Sequence, residues 1–76
     1  MIDILYNWFI DHYPKYNANV DNYRILWYNR KLRRLYIIMI DGNRLILDSD
    51  YGRTDHIDLN DPNMFKKLQI IIDNRS

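Results

Sequence analysis

Polar residues fall at Asp3, Asn7 and Asp11, and almost everything else in residues 2–13 is apolar or aromatic. A four-residue step draws one polar stripe down a helix, so this segment is predicted to be helical, with Ile2, Leu5, Trp8, Phe9 and Tyr13 on its buried sides. Pro14 closes it, because the residue before a proline is displaced from helical dihedrals. The apolar arc is wide for a helix with one neighbour. It implies cover on two sides or a partner outside the chain.

Residues 15–22 read as a loop whose asparagines tolerate turn conformations. The period then shifts to two. Residues 23–28 and 32–40 flank a turn at Asn29 and Arg30, and residues 43–48 return from Asp41-Gly42, a hairpin signal of the type I′ kind. A Tyr51-Gly52 turn and a short fourth strand near 56–59 complete the set. Asp61-Pro62 then opens a helix, with aspartate capping free N–H groups and proline at the first helical position. In that helix Met64, Phe65, Leu68, Ile71 and Ile72 share one stripe, opposite Lys66, Lys67 and Asp73.

The predicted class is therefore α+β: helix, a three- to four-stranded antiparallel β-meander, helix, in one domain spanning residues 1–76. Nothing this short holds two cores.

Strand alternation sorts the sheet into two faces, provided that the turns contain two residues. One face carries Tyr23, Ile25, Trp27, Leu32, Arg34, Tyr36, Ile38, Ile40, Leu45 and Leu47, and is the better core. The other carries Arg24, Leu26, Tyr28, Arg33, Leu35, Ile37, Met39, Arg44, Ile46 and Asp48. Both helices on the first face bury the most apolar surface. The second face is then open, an apolar patch edged by Arg24, Arg33 and Arg44, and such patches mark interfaces. One helix on each face is the alternative, and it hides the patch.

Composition narrows the chemistry. The chain has no cysteine, which excludes disulfides, thiolate metal sites and cysteine nucleophiles. Two glycines leave no glycine-rich phosphate loop. Ten aspartates occur without one glutamate, beside abundant Asn, Ile and Tyr, a bias that suggests an A/T-rich genome of the kind found in phages, viruses and low-GC bacteria. The longest purely apolar run, residues 37–40, is too short to span a bilayer, and Asp3 replaces the basic start of a secretory signal. A cytoplasmic protein is expected, inside a host cell if the gene is viral, with no membrane partner.

The net charge is +1 but unevenly placed. Residues 24–36 hold Arg24, Arg30, Lys31, Arg33 and Arg34 with no acid, whereas residues 41–61 hold six aspartates against Arg44 and Arg53. Cations interleaved with Trp27, Tyr28 and Tyr36 fit a nucleic-acid site, in which phosphates pair with the cations and bases stack on rings. Alternation, however, sends Arg33 and Arg34 to opposite faces, and a charged hairpin tip that keeps an edge soluble has the same composition.

Asp48, Asp50, Asp55 and Asp58 form an acidic segment that fits nucleic-acid mimicry or a cation site. Residues 48–52 match the opening of a calcium loop, but a third ligand is missing and position twelve is Leu59. His56 beside Asp55 and Asp58 lacks a nucleophile or metal, Ser49 lacks a strained glycine-flanked turn, and His12 reads as a surface or cap residue. Neither catalysis nor a cofactor is expected.

The expectation is a small non-enzymatic protein that binds a larger protein, plausible as a phage or viral inhibitor of a host defence or nucleic-acid enzyme, and able to pair as a homodimer. The alternative is a nucleic-acid binder using the basic hairpin, residues 24–36.

Overall fold

The computed structural model describes residues 1–50 and 52–75. Helix α1 (Ile2–His12) leads through a single 3-10 turn (Pro14–Tyr16) into five strands, β1 (Asn19–Asp21), β2 (Arg24–Asn29), β3 (Arg34–Asp41), β4 (Arg44–Ser49) and β5 (Thr54–Asp58), and helix α2 (Met64–Asn74) follows. The strands form one antiparallel sheet in the order β1-β2-β3-β4-β5, a meander in an α+β fold.

The sheet has five strands where three to four were expected. The additional strand, β1, lies in the segment read as a loop. It pairs with β2 through a turn at Asn22 and Tyr23, both at positive φ. Asparagine tolerates that conformation, but tyrosine adopts it rarely, so the turn carries no recognisable signature. Tyr23 thereby leaves the core face to which alternation assigned it and stands 82% exposed.

Two other turns are also displaced. Asn29 pairs with Arg34, so β2 and β3 are joined by the four residues Arg30 to Arg33. The Asn29 side chain accepts the Leu32 N–H at 3.1 Å, and Arg33 sits at φ 55°. Leu32 and Arg33 therefore belong to a turn and to neither face. Asp41 pairs with Arg44, which moves the next turn to Gly42-Asn43. Gly42 has φ 59° and Asn43 has no positive φ, the signs of a type II′ turn rather than I′. Each pairing moves by an even number of positions, so the side-chain alternation of β2, β3 and β4 survives.

Ile25, Trp27, Tyr36, Ile38, Leu45, Leu47 and Ile57 form the buried face of the sheet. Leu5 and Phe9 from α1 join the same core, as do Met64, Leu68 and Ile72 from α2. Each fully buried Leu, Ile or Phe contributes about 1.5–3 kcal/mol against exposure. α1 contacts β2, and α2 contacts β5. The two helices also meet directly: Trp8 packs on Phe65 at 5.2 Å, and the Tyr13 hydroxyl donates to Asp73 at 2.8 Å. The wide apolar arc of α1 is thus covered by sheet and by α2, while Tyr6 donates to the Ala18 carbonyl at 3.2 Å. Ile4 alone of its large aliphatic side chains is left mostly outside, at 62% exposure.

Helix α2 begins later than Asp61-Pro62 implied. Asp61 accepts the Asn63 N–H at 2.8 Å and pairs with Lys67, making a capping turn just ahead of Met64. The Lys67 ammonium and that N–H hold its carboxyl below the usual range. No described helix is long and apolar enough to cross a membrane.

A candidate interface on the open sheet face

Residues paired directly across antiparallel strands share a face. The register therefore places Leu26 beside Ile37, Tyr28 beside Leu35, and Met39 beside Ile46 on the face opposite the core. Leu26, Ile37, Met39 and Ile46 are only half-buried, and Tyr28 and Leu35 are exposed at 49% and 36%. None of the six belongs to the hydrophobic core or packs against it. The apolar patch read from alternation is brought together here, except for Arg33.

The charged border differs from the expected arginine ring. Arg24 lies opposite Asp21 and pairs with it at 3.6 Å, and Arg44 lies opposite both Asp41 and Asp58. Asp48 lies opposite Ile37, and His56 opposite Ile46. Four carboxylates thus share the face with two guanidinium groups. The border of the patch is therefore mixed in sign and is not a continuous cationic track of the kind that follows a phosphate backbone.

The remaining basic residues divide as follows. Arg30, Lys31 and Arg33 occupy the exposed β2–β3 turn at one end of the open face. Arg34 stands on the core face at the end of the sheet, where its guanidinium donates to the Arg33 carbonyl at 3.4 Å. Trp27 and Tyr36 stack at 5.3 Å inside the core, with only 4% and 5% exposure, and are closed to a base. Tyr28 is the exposed aromatic ring beside the turn.

A groove of about 860 Å³ joins these parts. Leu26, Tyr28 and Leu35 of the open face line one side, with Arg30 and Lys31 from the turn and Lys15, Asn17 and Asp21 from the segment around β1. The patch and the turn are each legible in the sequence. Lys15, Asn17 and Asp21 are not, because the turn that brings β1 against β2 has no recognisable signature.

The acidic segment does not present one surface. Asp48 accepts the Ser49 N–H at 2.9 Å and the Thr54 hydroxyl at 3.0 Å. Asp55, opposite Leu47 on the core face, pairs with the largely buried Arg75 and lies 3.8 Å from Arg53. Asp58 accepts the Asn60 N–H at 2.8 Å, and the Asp50 N–H donates to the Leu35 carbonyl at 3.1 Å. Among the described residues no three His, Asp or Glu side chains group as metal ligands. Asp55 and His56, adjacent in a strand, point to opposite faces and form no pair. The His12 ring stacks on Trp8 at 4.7 Å, with Nδ1 2.9 Å from the Trp8 carbonyl. The expected Tyr51-Gly52 turn falls partly on Tyr51, outside the described residues; Gly52 N–H donates to the Ser49 carbonyl at 3.0 Å.

No protein-family model, no curated protein and no solved structure matches the chain.

Proposed function

We propose that this chain is a small non-enzymatic binding protein that acts through protein–protein contact, docking by its open sheet face and the adjoining basic turn. One observation carries the reading: Leu26, Ile37, Met39 and Ile46 lie together outside the core, bordered by charges of both signs. Tyrosine and arginine, common carriers of interface energy, stand at its edge as Tyr28, Arg24 and Arg44. The A/T-biased composition suits a phage or viral accessory protein that occupies a surface of a larger host enzyme. Self-pairing through the same face is compatible with its mixture of charges.

The test is capture of a partner by purified chain, compared across two variants. Ile37→Asp places a charge in the patch and should abolish capture while the fold persists. Alanine at Arg30, Lys31, Arg33 and Arg34 should weaken capture less. Capture unchanged by Ile37→Asp contradicts the reading.

Nucleic-acid binding is the second reading, and the exposed Tyr28 ring beside Arg30 and Lys31 favours it. It predicts anisotropy changes with labelled DNA or RNA that weaken steeply with salt. The salt slope then shrinks by about one for each phosphate-binding cation removed.

A further inference from the structure

Strand β1 is half the length of its neighbour. It pairs only with Arg24, Ile25 and Leu26, while β2 continues through Trp27, Tyr28 and Asn29. Among the described residues no strand lies along that part of the β2 edge. The cause is local: the chain enters β1 from a 3-10 turn opened by Pro14 and ended by Asn17 in the left-handed region, φ 49°, so the residues before Asn19 do not continue the ladder beside Trp27. Ladder bonds alternate in side: Arg24, Leu26 and Tyr28 turn their N–H and C=O to this edge, while Trp27 and Asn29 turn theirs to Tyr36 and Arg34 of β3. The Tyr28 main chain is therefore the part left open to another strand.

The groove described above opens at this edge, since Trp27, Tyr28 and Asn29 line it together with Asn17 and Asn19. Its charged residues are Lys15, Arg30 and Lys31 against Asp21. The opposite edge of the sheet differs. There β5 carries Asp55 and Asp58, charges of the kind that discourage pairing.

Resting on the protein-contact reading, we infer that the occupant of this groove is an extended acidic segment of the partner, which adds a strand antiparallel or parallel to β2 alongside Trp27, Tyr28 and Asn29. The Tyr28 N–H and C=O bond its main chain, its acids meet Lys15, Arg30 and Lys31, and alternate apolar side chains rest on Leu26, Tyr28 and Leu35. Three residues of strand span about 10 Å, which suits a short peptide.

The probe is a capped hexapeptide of alternating aspartate and valine, titrated into the ¹⁵N-labelled full chain. The expected result is saturable shifts of the Trp27, Tyr28 and Asn29 amides, with hydrogen exchange slowed at Tyr28, whose N–H faces the open edge. N-methylation of alternate peptide amides, made in both phases, should weaken binding at least tenfold in one phase, because only one phase donates to β2. Exchange of aspartate for lysine in the peptide should weaken it similarly, as should the exposed double variant Arg30→Ala/Lys31→Ala. No shift at millimolar peptide overturns the inference, as does equal binding of both N-methylated forms. Equal binding of an oligothymidylate also overturns it, because charge alone then suffices. Shifts centred on Ile37 and Met39 overturn strand addition while leaving protein contact through the open face standing.

Discussion

Ile37 and Ile38 are adjacent in β3, and only the alternation of the strand separates them. Ile38 is fully buried under the helices; Ile37 is half-buried on the open face. Truncation to alanine removes three carbons from each, worth about 0.8 kcal/mol per carbon when fully buried. For Ile37, half of that is about 1.2 kcal/mol, with no cavity to add. For Ile38 the whole transfer cost applies, about 2.4 kcal/mol, and a cavity left in the core raises it to about 3–4 kcal/mol. Urea unfolding followed by tryptophan fluorescence measures both. With a slope near 1 kcal/mol per M for so small a chain, the midpoint should fall by about 1 M for Ile37→Ala and about 3 M for Ile38→Ala. Equal losses in a sample that sediments as a monomer would refute the assignment of faces. Equal losses that vanish on dilution would instead place a second copy on the open face.

Three further outcomes follow from the same contacts. Burial, and secondarily the hydrogen bond to Asp73, push the Tyr13 hydroxyl well above its ordinary value of 10.0. Its contribution is complete below pH 10 and is lost as pH rises towards the folded value, so stability should fall above pH 10 by up to about 1.4 kcal/mol per pH unit; Tyr13→Phe should flatten that slope in alkaline unfolding curves. Asn29→Ala leaves the Leu32 N–H without its acceptor and should cost about 1–2 kcal/mol in urea unfolding, with the β2–β3 turn amides exchanging faster. Gly42→Ala meets no atom within 4 Å, so its cost is the backbone conformation alone, about 1–3 kcal/mol, and a loss above about 4 kcal/mol would show that the hairpin contributes more than its turn.

Periodicity made much of this fold legible. The stripe of Asp3, Asn7 and Asp11 marked α1, the Met64, Leu68 and Ile72 repeat marked α2, and strict alternation placed Ile25, Trp27, Tyr36, Ile38, Leu45 and Leu47 on one face. The turns were less legible. Asn29-Arg30 and Asp41-Gly42 looked like two-residue turns, but the Asn29 side chain captures the Leu32 N–H and extends the first, while Gly42 supplies its positive φ to the first position of the second. Strand β1 escaped notice because its turn uses Tyr23 at positive φ, which no propensity favours. The apolar patch was visible in the sequence. Its true border was not, because Asp21, Asp41 and Asp58 reach it only through strand register. The groove was likewise invisible, since Lys15, Asn17 and Asp21 reach it only through the pairing of β1 with β2.

The central claim, that the open sheet face meets a protein, is most directly tested by a photo-crosslinking residue placed at Tyr28 or Leu35 and, separately, at Ile4 on the far side of α1. The account predicts a discrete protein adduct from Tyr28 and Leu35 in cells that express the gene, resistant to nuclease and absent from Ile4. Adducts from all three positions alike, or adducts that disappear with nuclease, would contradict it.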